Sequence, residues 1–297
     1  MITLNAKKCK FESIFSNDSA PRLLSICYQN HNIAKFPRMM HKHDDRMEIL
    51  FVQKGNGSYL VEGEKYTTGK GDILVYNSGV LHDECHVNNI SNHDIIIYSC
   101  SISGVKINKL PANHLVAAGQ DILIKSGDYA IDIETMFELI LRQVKINSKN
   151  SELIDYLTKA LILLIYNLSQ NNFNRTNHTI NHVLGTRIQN YLDENYNKDI
   201  KLENIAHALN VNKFYLSHIF KTFSGYSPVQ YLIRRRIGEA QTLLINSQYR
   251  VTDIAYIVGY NNMSNFQQTF VKIVGMTPHK YRCLMLDKER NDYIIIN

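Results

Sequence analysis

Tryptophan is absent from the 297 residues, and proline appears only 5 times. Glycine numbers 14 and no low-complexity tract occurs, which excludes a collagen-like or disordered proline- and glycine-rich chain. Cysteine is sparse too. Cys9, Cys27, Cys85, Cys100 and Cys283 are odd in number and form no CxxC pair, so they fit free thiols in a reducing cytosol rather than a disulfide framework. Long apolar runs are missing: the longest, Ala160–Tyr166, is too short to span a bilayer. Lys7, Lys8 and Lys10 are not followed by an apolar run of signal-peptide length. A cytoplasmic protein without a membrane partner is expected.

Acidic charge is scarce in the C-terminal part. Residues 1–180 carry 19 Lys/Arg against 18 Asp/Glu, whereas residues 181–297 carry 14 against 9, within a net charge of +6. A basic C-terminal third is the footprint expected of a polyanionic partner. The hydrophobic fraction of 44% is ample for real cores, and the length leaves room for two domains.

From about Leu23 to Ser101 the chain reads as short alternating strands, Glu48–Val52, Gly57–Glu62, Asp72–Tyr76 and Asp94–Ser99, punctuated by glycine-containing turns. Short, evenly spaced strands predict a sandwich or barrel. From about Ala130 to Gln170 the period becomes helical. Ile133, Met136, Phe137, Ile140, Leu141 and Val144 share one helix face, and a second helix over about Ser151–Ser169 is apolar on several faces. Such wide apolar coverage predicts burial against the barrel and a dimer interface as well. Residues 171–180 read as a polar linker, and the chain beyond it reads as helical to about Arg290.

The last third contains an internal repeat. Ile205-Ala206, Leu216, Phe220, Gly225, Ser227-Pro228 and Tyr231 recur as Ile254-Ala255, Phe266, Phe270, Gly275, Thr277-Pro278 and Tyr281. The offset changes from 49 to 50 between the Ile-Ala pair and Asn212/Asn262, which places one extra residue near Gly259–Asn261. Ala206 and Ala255 suit a close helix crossing. Gly225 and Gly275 suit left-handed caps, and Ser227-Pro228 with Gln230 suits a capping box. Each copy therefore predicts a short helix, a turn of about four residues and a second helix, with one long helix over Pro228–Asn246 joining the copies. If Leu216, Ile219, Phe220 and Phe223 point inward, Lys213, Phe214, Ser217, His218 and Lys221 face outward. If Phe266, Phe270, Ile273 and Val274 point inward, Met263, Ser264, Gln267 and Gln268 face outward, with Asn265 at the edge. Such faces can reach base edges in a major groove, and Phe214 and Met263 suit thymine methyls. A helical solenoid without nucleic acid is the alternative. The exposed aromatic and the basic surplus favour double-stranded DNA.

These features resemble the AraC/XylS family of bacterial regulators. The resemblance runs from about His182 to Arg282. It includes Val211–Lys221, Gly225–Pro228, Arg236-Ile237, Glu239-Ala240, Val258–Tyr260 and Gly275–Arg282. It implies a seven-helix DNA-binding domain with two recognition helices, a regulator more often an activator, and RNA polymerase as a partner. Its base-reading positions fall on Phe214, Ser217, His218, Met263, Ser264, Asn265 and Gln268, while Arg236 falls on a structural position. This chain departs from the family at Ser217 and His218, where relatives often carry Arg or Gln.

A second resemblance lies upstream. His41-x-His43, Glu48 and Gly55, then Gly71, Asn77, Gly79 and His82, follow both motifs of the cupin barrel, with Asn77 in place of proline and His86 in place of the trailing Asn. Alternating His41 and His43 would project from one strand face, with Glu48 and His82 alongside. Three imidazoles and a carboxylate suit Zn, Ni, Mn or Fe. Equally, the four line an effector pocket without metal, with Asp83 and Glu84 available to a polyol, amine or cationic ligand.

The expectation is an α+β chain of two domains. Residues 1–170 form a cupin-like barrel with a helical dimerisation segment, and residues 181–290 form an all-α double helix-turn-helix domain. Its function is sequence-specific DNA binding under control of a small molecule, as a homodimer and not as an enzyme. The alternatives are a metal-dependent cupin enzyme fused to a DNA-binding domain, and a constitutive regulator whose barrel only dimerises. No catalytic base beyond the ligand set supports the former.

Overall fold

The computed structural model describes residues 12–30, 38–83, 95–146, 151–170, 180–286 and 293–295. The N-terminal part contains β1 (Arg22–Gln29), β2 (Met47–Lys54), β3 (Gly57–Val61), β4 (Glu64–Thr68), β5 (Asp72–Tyr76), β6 (His82–Asp83), β7 (Ile96–Ser103) and β8 (Leu123–Lys125). Helices α1 (Ala130–Ile146) and α2 (Glu152–Ser169) follow. Beyond them lie α3 (Ile180–Asn195), α4 (Leu202–Ala208), α5 (Lys213–Ser224), α6 (Pro228–Asn246), α7 (Val251–Ile257), α8 (Met263–Val274), α9 (Pro278–Leu286) and a last strand, β9 (Tyr293–Ile295).

The strands form two antiparallel sheets, ordered β8-β5-β2-β7-β1-β9 and β4-β3-β6. The larger sheet is buried on both faces. Leu50, Val52, Leu74 and Tyr76 pack with Tyr59 and Val61 of the smaller sheet. Their neighbours Ile49, Phe51, Ile73 and Val75 pack with Ile133, Phe137 and Ile140 of α1 and with Leu161, Ile162 and Ile165 of α2. This explains why β5 is buried at all five residues instead of alternating. The Phe137 ring lies between those of Phe51 and Tyr98, with centroids 6.2 and 5.6 Å away.

One boundary differs from the sequence expectation. The expected strand Asp94–Ser99 instead spans Ile96–Ser103, and Asp94 lies outside the described residues. Helix α9 is described to Leu286, and residues 287–290 of the expected helix lie outside the described residues; beyond them Tyr293–Ile295 pairs with the outer edge of β1, Ser25 opposite Ile295. Its β-branched residues suit a strand, and the pairing covers a sheet edge. The expected linker, 171–180, lies outside the described residues up to 179.

Residues 180–286 form seven helices around two cores. Ile188, Leu192, Ile205, Leu216, Phe220 and Tyr231 fill the first, and Ile237, Leu244, Ile254, Phe266, Phe270 and Tyr281 fill the second. Helix α6 contributes to both. The barrel joins the first core through Met40, Leu60 and Leu81. Phe223, expected to point inward, is partly buried against this core, and its ring meets Gly63 of the β3–β4 turn and Gly185 of α3. A Cβ at either glycine would fall 2.3 Å from the ring.

Candidate nucleic-acid interface and metal centre

The two repeat copies are built alike. Helices α4 and α7 each have 7 residues, and α5 and α8 each have 12. The extra residue of the second copy lies in the turn between α7 and α8, where Gly259 adopts φ +92° and approaches the Asn197 backbone. Asn212 caps α5 by accepting from Phe214 N at 2.8 Å, and Asn262 caps α8 by accepting from Ser264 N at 2.8 Å and Asn265 N at 3.2 Å. Gly225 and Gly275 close these helices at φ +75° and +82°. Ser227 and Gln230 form the capping box at the start of α6. Fixed caps at both ends hold each second helix rigidly on its core.

The outward faces follow. Phe214 is 74% exposed, and His218, Lys221, Ser264, Asn265, Gln267 and Gln268 are exposed. Lys213 and Ser217 are half-buried, Lys213 being drawn to Glu203 at 3.2 Å and over the Phe214 ring. Met263 is half-buried against the second core. Tyr215, which the sequence reading omitted, is 50% exposed beside Phe214. Arg236 donates to the carbonyls of Tyr196 at 2.6 Å and Lys198 at 2.7 Å, tying α6 to the end of α3. Its role is structural.

The second site lies within the barrel. His41 and His82 are buried, and donor atoms of His41, Glu48 and His82 all lie within 4.8 Å of one another. Glu48 Oε2 is 3.3 Å from His82 Nε2, and its Oε1 is 3.4 Å from His43 Nε2. His43 therefore flanks the carboxylate but stands outside the mutually close group. His41 is not on a regular strand: it forms an isolated bridge with His82, and β2 begins only at Met47.

The ring orientations are informative. His41 Nδ1 is 2.8 Å from the Met39 carbonyl, and His82 Nδ1 is 3.1 Å from the Val80 carbonyl. A carbonyl only accepts, so both Nδ1 atoms donate, and a neutral ring then carries its lone pair on Nε2. Burial holds the His41 pKa well below its ordinary value and that of His43 down to about 4. Among the described residues, the Nε2 atoms of His41, His43 and His82 have no hydrogen-bond partner. Burial alone would raise the Glu48 carboxyl, but its close approach to His82 and His43 outweighs this and holds it well below its ordinary value. Ser101 Oγ donates to Glu48 Oε1 at 2.6 Å. Lone pairs facing a carboxylate, with each imidazole anchored by a carbonyl, form a donor set that fits a divalent cation.

Asp83 overturns one expectation. It is fully buried and accepts from Arg234 Nε at 3.0 Å, so it faces α6 and is not open to a polyol or amine in the barrel. Glu84 and His86 lie outside the described residues.

Comparison with known proteins agrees with both halves. A helix-turn-helix domain model matches residues 205–283, and a cupin domain model matches residues 34–91. An uncharacterised HTH-type transcriptional regulator, YdiP of Escherichia coli, is 29% identical over 91% of this chain and 89% of its own length. The lactose operon transcription activator of Staphylococcus xylosus is 27% identical over 79% of this chain and 82% of its own. The melibiose operon regulatory protein of Escherichia coli is 25% identical over 89% and 91%.

The chain carries an AraC-type helix-turn-helix domain and a cupin domain, and the relatives it matches are transcriptional regulators of the AraC family.

With this DNA-binding domain, and with regulators as relatives over most of its length, the chain is a DNA-binding transcription regulator rather than an enzyme. The combination of a cupin domain with a double helix-turn-helix in an α+β chain agrees with the fold expected from the sequence. Among the described residues, no helix is long and apolar enough to cross a membrane.

Proposed function

We propose that this AraC-family regulator reads two successive major grooves with α5 and α8, under control of an occupant of the His41–Glu48–His82 cluster. The supporting observation is the duplicated pair of capped 12-residue helices with exposed polar faces. Ser217, His218, Ser264, Asn265, Gln267 and Gln268 read bases. Phe214 and Met263 touch thymine methyls, and Lys213 and Lys221 hold phosphates. The occupant is a divalent cation of the Zn, Ni, Mn or Fe type or a small polar effector, held by His41, Glu48 and His82 with His43 beside them. The Nε2 atoms, which have no hydrogen-bond partner among the described residues, support the cation.

In this reading residues 1–170 sense and dimerise, residues 171–180 link, and residues 181–290 bind DNA. The regulator works in the cytoplasm as an activator that engages RNA polymerase. Exposed Ile131 and Ile146 of α1 and Leu153 and Tyr156 of α2 support a homodimer through this helix pair. Mapping of bound sites across the genome tests the DNA reading, and metal analysis with sedimentation of the purified chain tests the other two. A monomer on sedimentation rejects the dimer.

A further inference from the structure

The segment Arg38–Met40 leads directly into His41 and lies across α6. Met39 N donates to Gln241 Oε1 at 2.8 Å, and Arg38 Nη2 donates to Thr242 Oγ1 at 3.2 Å. Helix α6 is notched to receive it: a Cβ at Gly238 would fall 2.1 Å from the Met40 carbonyl oxygen and 2.7 Å from that of Met39. The two methionines then part. Met39 is buried in the core of the second helix-turn-helix unit and Met40 in the core of the first. One strap of barrel chain thus plugs both DNA-reading units. A few residues away, Asp83, adjacent to His82, pairs with Arg234 of the same helix, whose guanidinium lies 4.5 Å from the Tyr226 ring centroid.

Both ends of this contact are continuous with the cluster. His41 N donates to His82 O and His82 N donates to His41 O, each at 3.0 Å, and the His41 ring is held by the Met39 carbonyl at 2.8 Å. Drawing His41 and His82 onto an occupant therefore fixes the Met39 carbonyl, the strap and Asp83 together.

We propose that the Arg38–Met40 strap is the element through which occupancy of the His41–Glu48–His82 cluster sets the placement of the two reading helices. This rests on the reading of that cluster as a binding site. An occupant changes DNA affinity only if it favours one of two arrangements. The strap supplies the difference, because its docked form plugs both cores and its released form leaves α6 free.

The test compares the full-length chain with Gly238→Ala, using Co²⁺ as the cluster probe and a duplex selected from random sequences by the wild-type protein. In a free helix alanine is the better residue, so this substitution loosens the strap without weakening α6. In the wild type, Co²⁺ is expected to change duplex affinity about fivefold or more, the low end of usual coupling, and to slow amide exchange at residues 38–41. In Gly238→Ala, Co²⁺ still produces its absorption bands but duplex affinity no longer responds. An equal response in both proteins overturns the strap and leaves the cluster standing. If the wild type binds no Co²⁺, the cation reading fails, and the strap is decided by duplex affinity without cation: a difference of about fivefold or more supports it and equal affinities overturn it. Arg234→Met, which breaks the Asp83 pair, serves as the second variant should Gly238→Ala fold poorly.

Discussion

His41 and His82 exchange both backbone hydrogen bonds, each 3.0 Å long, across an isolated bridge, and their rings lie 4.2 Å apart. Two imidazoles from distant parts of the chain are thereby locked together before anything binds. Preorganisation of this kind favours tight cation binding. His41→Ala or Glu48→Gln should lower Co²⁺ affinity by more than the roughly 10–100-fold that loss of an outer partner costs. Ser101→Ala, which removes only the hydrogen bond to Glu48, should fall within that range. His43→Ala should cost less than His41→Ala, because His43 lies outside the mutually close group. Absorption titration with Co²⁺ ranks the four. Equal losses at His41 and His43 reject this ligand set.

Asp193 supplies a pH signature of the DNA-binding half. Burial lifts its carboxyl from 3.8 to about 6, against the opposing charge of Arg235 and the Tyr231 hydroxyl, which donates at 3.1 Å. The folded form thus holds a proton between about pH 4 and 6 that the unfolded chain releases. The contribution is full below about pH 4 and is lost as the pH rises through about 6, an effect on the order of 1–3 kcal/mol. Asp193→Asn keeps an acceptor for Tyr231 and abolishes the titration. Thermal melts of the variant should lose this component of the pH dependence between pH 4 and 7, and an unchanged profile rejects the assignment.

Features with fixed local chemistry were legible in the sequence. The glycine caps, the Ser227–Gln230 box, the bounds of α6 and the extra residue in the second turn each follow from residues whose backbone roles are narrow. The spacing of His41, Glu48 and His82 was equally plain. Long-range relations were not. The partner of Asp83 lies 151 residues away, and nothing local separates a carboxylate awaiting a ligand from one awaiting Arg234. Glycine inside a helix is locally unfavourable, and only the packing shows that the lack of a side chain at Gly238 admits the Met39–Met40 backbone. The strands of the large sheet were found but their alternation was overstated, because helices cover the face that a two-layer sandwich would leave wet.

The caps of the two reading helices are unequal, and stability should register it. Asn262 accepts from two backbone amides and Asn212 from one. Replacement of an N-cap by alanine costs about 1 kcal/mol. Asn262→Ala should therefore lower the denaturation midpoint more than Asn212→Ala. Urea unfolding of the full chain measures both, and the reverse order rejects the capping account.

Base reading and phosphate holding separate by their dependence on sequence and salt. Ser217, His218, Asn265 and Gln268 offer polar groups that can meet base edges, whereas Lys221 is an exposed cation near the end of α5. Alanine at a base-reading position should cost about 1–3 kcal/mol on the preferred duplex and much less on a scrambled one, flattening the preference at one base pair. Lys221→Ala should weaken every duplex alike and reduce the slope of log affinity against log salt by about 1. Because Lys213 is already drawn to Glu203, its alanine variant should change that slope less than Lys221→Ala does. Fluorescence anisotropy over a salt series, on matched and scrambled duplexes, distinguishes the two classes. Uniform losses for Asn265→Ala and Gln268→Ala would remove α8 from base reading and leave it as a backbone clamp.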